Sequence, residues 1–323
     1  MLKVNHISKS YGSIKAINDL SFEVSEGEIF GLLGVNGAGK TTTFRMIVGL
    51  LEPDDGTITL NNKNIDYDIT DDIGFLTEER SLFIKMSVLE QILFYGNLNG
   101  LDNKEIEKRL DYWLDKLKIT EYKNEKIKNL SKGNQQKIQF IAAVINEPKL
   151  LILDEPFTGL DPFNVEILMQ ALREMAKKGT IVIFSSHRME HVEMFCDRLL
   201  ILVKGDKVLE GSLKEIKDNY LKKSIRIKGE VDVKGIKEIK GVEKVIKTSD
   251  DIIVKVSNME VVSKVFNVIK NGKNIIKFEV EDPSLNEIFV SKVGDYFENK
   301  RRISHVSRRT SHPVYARHAG RQN

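Results

Sequence analysis

Eight consecutive residues, Gly34-Val35-Asn36-Gly37-Ala38-Gly39-Lys40-Thr41, carry the clearest chemistry in this chain. Their spacing is G-x-x-x-x-G-K-[ST], the pattern of a backbone turn that cradles phosphate. Glycines at 34, 37 and 39 let the main chain bend and aim successive N–H groups at phosphate oxygens. A helix beginning behind them, with Thr42 in its first turn, adds unpaired amides and the positive end of its dipole. Lys40 brings a point charge to the β- and γ-phosphates, and the Thr41 hydroxyl is a hard oxygen ligand for Mg²⁺. The predicted ligand is therefore a nucleoside triphosphate with its magnesium.

Asp154 and Glu155 follow the apolar run Leu150-Leu151-Ile152-Leu153, and His187 follows Thr180-Ile181-Val182-Ile183-Phe184 through Ser185-Ser186. Asp154 is placed to hold Mg²⁺ directly or through water, and Glu155 to act as general base on the water that attacks the γ-phosphate. In isolation an Asp-Glu pair would be a solvated acidic turn. Behind a phosphate loop and a buried strand, catalysis is the better reading.

The elements that must position these groups can be read from periodicity. Ile29-Phe30-Gly31-Leu32-Leu33, residues 150–153 and residues 180–184 are continuously apolar, as strands covered on both faces are. A mainly parallel α/β sheet follows, with ligands beyond the carboxyl ends of its strands. Residues 2–7 and 16–24 alternate as half-buried strands, 57–60 and 73–76 are short strands, and 87–146 is a helical insert. Tyr11, in the connection after the first strand, could stack on an adenine or simply pack.

Leu130-Ser131-Lys132-Gly133-Asn134-Gln135-Gln136 and Phe157-Thr158-Gly159-Leu160-Asp161-Pro162 narrow the reading. With the phosphate loop, the Asp-Glu pair, Tyr11 and His187, their order over about residues 1–215 resembles the nucleotide-binding domain of ATP-binding-cassette (ABC) proteins, a P-loop NTPase fold. The resemblance implies that Tyr11 stacks on adenine, residues 34–41 are the Walker A loop, Asp154 is the Walker B aspartate and Glu155 the catalytic glutamate. It implies further that Ser131 and Gly133 contact the nucleotide held by the opposite subunit, that Asp161 lies at the dimer interface, and that His187 senses the γ-phosphate. Two departures stand out. Lys132 and Asn134 replace a glycine and the glutamine of the usual Leu-Ser-Gly-Gly-Gln, and Glu78 stands where the family has a metal-contacting glutamine.

What the resemblance implies for assembly is a homodimer, or a pair with a second ABC ATPase subunit, acting on a separate transmembrane permease at the cytoplasmic face of the cell membrane. Residues 79–86 match the groove for the permease's cytoplasmic helix. The alternative is a soluble ABC ATPase acting on ribosomes or DNA; a single cassette and the lack of sustained heptads speak against it. A nucleotide-gated module without turnover is disfavoured by the intact Glu155 and His187.

With 323 residues the chain is long for one domain, and its 30% charged and 7% aromatic residues fit an ordinary soluble protein. The single cysteine, Cys196, cannot form an internal disulfide, which points to a reducing compartment. The net charge of +3 conceals a balance of +6 in residues 298–323, leaving −3 for the rest and no electrostatic reason to expect a nucleic-acid partner. Beyond about residue 216, strands at 224–228, 243–247, 252–256 and 275–280 alternate with helices near 233–239 and 259–270, the order of a β-α-β-β-α-β ferredoxin-like unit. A final helix, opened by Asp282-Pro283-Ser284, is expected to run through Val293. This small α+β domain, 216–296, resembles the accessory domain of many bacterial exporter ATPases. Residues 297–323 are read as a basic, disordered tail, whether a lipid-touching segment or a remnant of expression.

Overall fold

A computed structural model describes residues 1–65, 71–79, 81–270 and 273–310. In chain order come β1 (Leu2–Tyr11), β2 (Ile14–Val24), β3 (Ile29–Gly34), α1 (Lys40–Ile47), β4 (Asp55–Leu60), β5 (Lys63–Asn64) and β6 (Ile73–Leu76). A helical block follows, α2 (Val88–Leu98), α3 (Asn103–Lys116) and α4 (Lys132–Val144), and then β7 (Leu150–Leu153), α5 (Pro162–Lys177), β8 (Ile181–Ser185), α6 (Met189–Phe195), β9 (Arg198–Val203), β10 (Asp206–Ser212) and α7 (Leu213–Asp218). The chain ends in β11 (Lys223–Glu230), α8 (Val233–Lys237), β12 (Val242–Lys247), β13 (Ile252–Val256), α9 (Met259–Ile269), β14 (Lys273–Glu281) and α10 (Leu285–Thr310).

The central sheet has the order β10-β9-β3-β8-β7-β6. Its strands pair in parallel from β9 to β6, and only the edge strand β10 runs antiparallel. The apolar runs explain this arrangement, because alternate residues serve two cores. Phe30 and Leu32 of β3, Leu150 and Ile152 of β7, and Ile181 and Ile183 of β8 face a core shared with α1 and the antiparallel sheet β2-β1-β4-β5. Their neighbours Leu33, Leu151, Leu153, Val182 and Phe184 face a second core shared with the helical block, α5 and α6. All four side chains of β7 are fully buried, which contributes roughly 6–12 kcal/mol at about 1.5–3 kcal/mol per large apolar residue.

Two findings revise the reading from sequence. The sheet has two strands that reading the sequence did not place, β9 and β10, and β9 pairs with β3. The last helix does not stop at Val293 but runs to Thr310, so the basic segment from 297 begins as helix. Val293, Tyr296 and Phe297 recur at helical spacing and pack on the cassette's core, which carries the helix onward. The rest of the expected tail, 311–323, lies outside the described residues.

The small C-terminal sheet has the order β12-β13-β11-β14, antiparallel throughout. That is the ferredoxin-like arrangement, with its own core of Ile225, Ile227, Val254, Val256, Val261 and Val265. Leu285, Ile288 and Phe289 of α10 belong instead to the cassette's core, so the last helix fastens the small sheet's end of the chain back onto α6, β9 and β10.

Candidate nucleotide site

β3, β6, β7 and β8 deliver the phosphate loop, Glu78, the Asp154-Glu155 pair and His187 at one edge of the central sheet. β3 ends at Gly34 and the loop turns into α1, with Gly37 at φ 75° and Gly39 at φ 110°. Gly39 is doubly constrained, since a Cβ there would lie 2.8 Å from Ala16 O. Gly34 is required for another reason: it packs so closely that a Cβ would stand 2.7 Å from Leu202 O. Helices α2, α4 and α5 begin with Ser87, Ser131 and Asp161, whose side chains accept a first-turn amide, whereas α1 has no side-chain cap. Its amides remain available to an anion.

Lys40 Nζ donates to Gly34 O at 2.9 Å, which holds the ammonium across the loop. Thr41 Oγ1 donates to Asp154 Oδ2 at 3.1 Å, and Ser185 Oγ donates to Asp154 Oδ1 at 2.5 Å. The same Ser185 Oγ accepts Glu155 N at 3.0 Å. Ser185 therefore fixes both carboxylate residues, and reading the sequence gave it no role of its own.

Glu155 adopts φ 51°, a left-handed backbone that is unusual for a side chain of its size. Its side chain is 11% exposed, and Oε2 lies 2.8 Å from His187 Nδ1. Since a carboxylate can only accept, this contact places the proton on Nδ1. Burial raises the Glu155 pKa above the ordinary carboxylate value; His187 and Lys40 act against the rise and Asp154 adds to it.

Asn36, Gly37, Ala38, Gly39, Lys40, Thr41, Thr42, Glu78, Asp154, Glu155 and His187 line one cavity of about 890 Å³, joined by Ile14, Lys15, Ala16 and Lys204. That volume suits a nucleotide-sized ligand. Gly34 and Val35 lie behind it in the same loop. Tyr11 is the last residue of β1 rather than part of a loop, paired with Ile14 and exposed, and it does not line the cavity. Ser131, Gly133 and Asp161 also lie outside it, and Gly133 packs against the loop that leads to Asp161: a Cβ there would approach Gly159 O at 3.4 Å.

Two buried glutamines of α4, also unassigned from sequence, hold the loops that carry the carboxylates. Gln136 Nε2 donates to Pro156 O at 3.1 Å, and Gln139 Nε2 to Thr77 O at 3.0 Å and Glu79 O at 3.3 Å, on either side of Glu78. The Thr41 hydroxyl and the Asp154 and Glu78 carboxylates give the cavity hard oxygen donors. No cluster of three acidic, His or Cys residues among the described ones forms a complete metal cage. Such a set fits Mg²⁺, which keeps waters and shares phosphate oxygens instead of filling a protein cage.

A parallel sheet, an uncapped helix behind a glycine loop, and an oriented Asp-Glu pair define a P-loop nucleoside triphosphate hydrolase. The ABC transporter family matches residues 17–158, and the C-terminal domain of DrrA1-3-like ATP-binding proteins matches residues 211–293. The chain is 45% identical over 298 residues to YhaQ of Bacillus subtilis (strain 168), an uncharacterized ABC transporter ATP-binding protein, covering 92% of this chain and 100% of the relative. It is 38% identical over 208 residues to the Nod factor export ATP-binding protein I of Rhizobium leguminosarum bv. viciae, covering 64% and 67%. Among solved structures, the dimeric post-hydrolysis state of the ATP-binding cassette MJ0796 bound to ADP and Pi aligns at 27% identity and TM-score 0.61, over 66% of this chain and 99% of that one. The chain belongs to the ATP-binding proteins of ABC transporters and is an ABC-type, nucleotide-binding ATPase.

Proposed function

We propose that two copies of this chain, or this chain and a second ABC ATPase subunit, close on ATP and part after hydrolysis, driving export through a separate transmembrane permease at the cytoplasmic face of the membrane. The observation that carries this reading is the division of the site. Residues for phosphate and hydrolysis line the cavity, while exposed Ser131 and Asp161, with Gly133 between helix and loop, lie outside it on the same chain. A second cassette arranged head to tail would bring its Ser131 and Gly133 to the first cassette's nucleotide. The γ-phosphate, touched from both sides, would then make closure depend on ATP.

Within each half, Glu155 is the general base and His187 its partner, with Lys40 and the α1 amides holding the phosphates. Thr41, Asp154 and Glu78 would hold Mg²⁺, which when bound neutralises and orients phosphate oxygens. Tyr11, exposed on β1, takes the adenine once nucleotide arrives. The division of labour between a cassette, 1–215, and an accessory domain, 216–296, is part of the same reading.

No described helix is long and apolar enough to cross a membrane. The permease contact is assigned to residues 79–86, of which Arg80 lies outside the described residues. Phe83 and Ile84 there are 46% and 56% exposed beside exposed Phe94, whose ring stands 5.5 Å from that of Phe83. An aromatic patch of this kind suits an apolar helix from a partner. Export is favoured over import by the relative whose name includes Nod factor export and by the resemblance of residues 216–296 to the accessory domain of bacterial exporter ATPases.

Light scattering on the Glu155→Gln variant tests the clamp. Its mass is expected to double with ATP and to stay single without it, and Lys40→Ala is expected not to respond. A monomer holding uncleaved ATP would refute dimerisation, and failure to co-purify any polytopic membrane protein from native membranes would refute the transporter role.

A further inference from the structure

The turn between β9 and β10 touches the phosphate loop on one side and the C-terminal helix on the other. Gly205 N donates to Ala38 O at 2.8 Å, and Asn18 N donates to Gly205 O at 2.9 Å. The turn has no room to shift toward β2, because a Cβ on Gly205 would stand 2.5 Å from Ala16 O. Lys204, exposed and at φ 50°, lines the nucleotide cavity. From the other side, Tyr296 Oη donates to Asp206 Oδ2 at 2.6 Å and Lys300 Nζ donates to the same oxygen at 2.9 Å. Between these contacts, Lys204 Nζ stands 5.0 Å from the centroid of the Phe297 ring.

We propose that Lys204 is a nucleotide-contacting cation held in place by Phe297, so that docking of α10 on the β9–β10 turn sets the affinity of the cassette for the nucleotide's phosphates. The inference rests on the nucleotide occupying the cavity described above. A free lysine must freeze a long flexible side chain to meet an anion, and that entropy weakens the contact. An ammonium already resting on an aromatic face has lost part of that freedom beforehand. The ring covers one side of the ammonium and leaves N–H donors on the other for a phosphate. Asp206, gripped by Tyr296 and Lys300 and accepting Asn18 Nδ2 at 2.7 Å, is already committed and does not compete for Lys204. The small C-terminal domain thereby reaches the site of hydrolysis through one helix and one turn.

Titration of the full chain with a fluorescent ADP analogue and Mg²⁺, at low and high KCl, tests the proposal. Lys204→Ala is expected to weaken binding about three- to fivefold at low salt and to make the salt dependence shallower, as loss of one cationic contact should. Phe297→Leu, which keeps apolar bulk but loses the ring, is expected to weaken binding about two- to threefold, while Phe297→Trp keeps wild-type affinity. The Lys204→Ala/Phe297→Leu double variant is expected to bind like Lys204→Ala alone, because the ring acts only through the ammonium. Unchanged binding in Lys204→Ala, tighter binding in Phe297→Leu, or multiplying effects in the double variant would each overturn the proposal. Lys40→Ala serves as the control: if it binds normally, the nucleotide reading of the cavity fails and takes this one with it, and if it loses binding, any failure belongs to Lys204 and Phe297 alone.

Discussion

Replacing Ser185 with alanine removes a single oxygen, yet that oxygen is fully buried and holds both carboxylate residues. It donates to Asp154 Oδ1 at 2.5 Å and accepts Glu155 N at 3.0 Å. A hydrogen bond to a charged group is worth about 1.5–3 kcal/mol, and a buried amide left without a partner costs about 1–3 kcal/mol. The two share one atom and their sum is an upper bound, so a stability loss of about 2–4 kcal/mol is expected. Calorimetry should show it as a melting point lower by roughly 5–15 °C for a domain of cassette size. Turnover should suffer separately, because Glu155 holds its φ of 51° only while its amide is anchored. Misplacing a general base by an ångström or less is expected to lower kcat about 10–100-fold, roughly 1.4–2.7 kcal/mol of barrier. ADP affinity should change less than about threefold, since Lys40 and the α1 amides are untouched. Ser186→Ala is the comparison: Ser186 Oγ accepts Arg188 N at 3.0 Å and touches neither carboxylate, so its kcat should stay within a few-fold of wild type. An unchanged kcat in Ser185→Ala, or an ADP affinity that falls as far as kcat, would refute the reasoning.

Gly39→Ala combines a φ of 110° with a Cβ 2.8 Å from Ala16 O, so ADP titration should find binding lost even where circular dichroism shows the chain folded. Glu78→Ala is expected to raise the Mg²⁺ concentration that half-activates the ATPase; an unchanged Mg²⁺ curve would remove Glu78 from the metal site. Phe140, fully buried with its ring 5.5 Å from that of Trp113, should cost about 3–5 kcal/mol when cut to alanine, as measured by denaturant melts. His191 is buried 4.9 Å from the Phe157 ring, with no partner for Nδ1 among the described residues. Burial first, and Arg188 and His187 after it, hold its pKa below 6.5, with Glu190 opposing. The unfolded chain then takes up a proton near pH 6.5 that the folded one refuses, so the His191 contribution is present above that pH and lost as pH falls below it. His191→Phe should flatten the decline in melting temperature between pH 7.5 and 5.5, and an unaltered decline would show that other groups set it.

How much of this was legible in the sequence depended on whether a residue's surroundings were local. The runs that became β3, β7 and β8 announce central strands because both faces are covered and nothing polar is tolerated. The ferredoxin-like order of the small sheet followed from the alternation of strand and helix patterns, each with a clear period. β9, five apolar residues after Arg198, lies close behind the short helix α6, where an apolar run cannot be told from more buried helix by period alone. In the basic segment the charges outnumber the apolar residues, so the spacing of Tyr296 and Phe297, which prolongs the apolar face of α10, gives a weak signal in the sequence. Ser185, Gln136 and Gln139 carry no local signal of a site role. A hydroxyl or amide acquires its role from what the fold sets opposite it, and here those partners are 30, 20 and 62 positions away in sequence.

In the proposed dimer, helix α4 would serve both halves of the composite site. Its N-terminus carries Ser131, which accepts Asn134 N at 3.2 Å and stays exposed, so the end of the helix faces outward with its remaining amides available. One and two turns further on, Gln136 and Gln139 are buried and tied to the loops behind Asp154-Glu155 and around Glu78. Ile138, Phe140, Ile141 and Val144 are fully buried in the core beneath, so the helix cannot flex locally without opening cavities at a cost of about 2–5 kcal/mol for each large side chain lost from packing. A load on the Ser131 end would therefore have two outlets, a rigid shift of α4 or strain in the glutamine hydrogen bonds, each bond worth about 1 kcal/mol. Lys132 and Asn134 take no part in those hydrogen bonds, so in the proposed dimer these departures from the family's usual signature would leave the path from Ser131 to Glu155 unbroken.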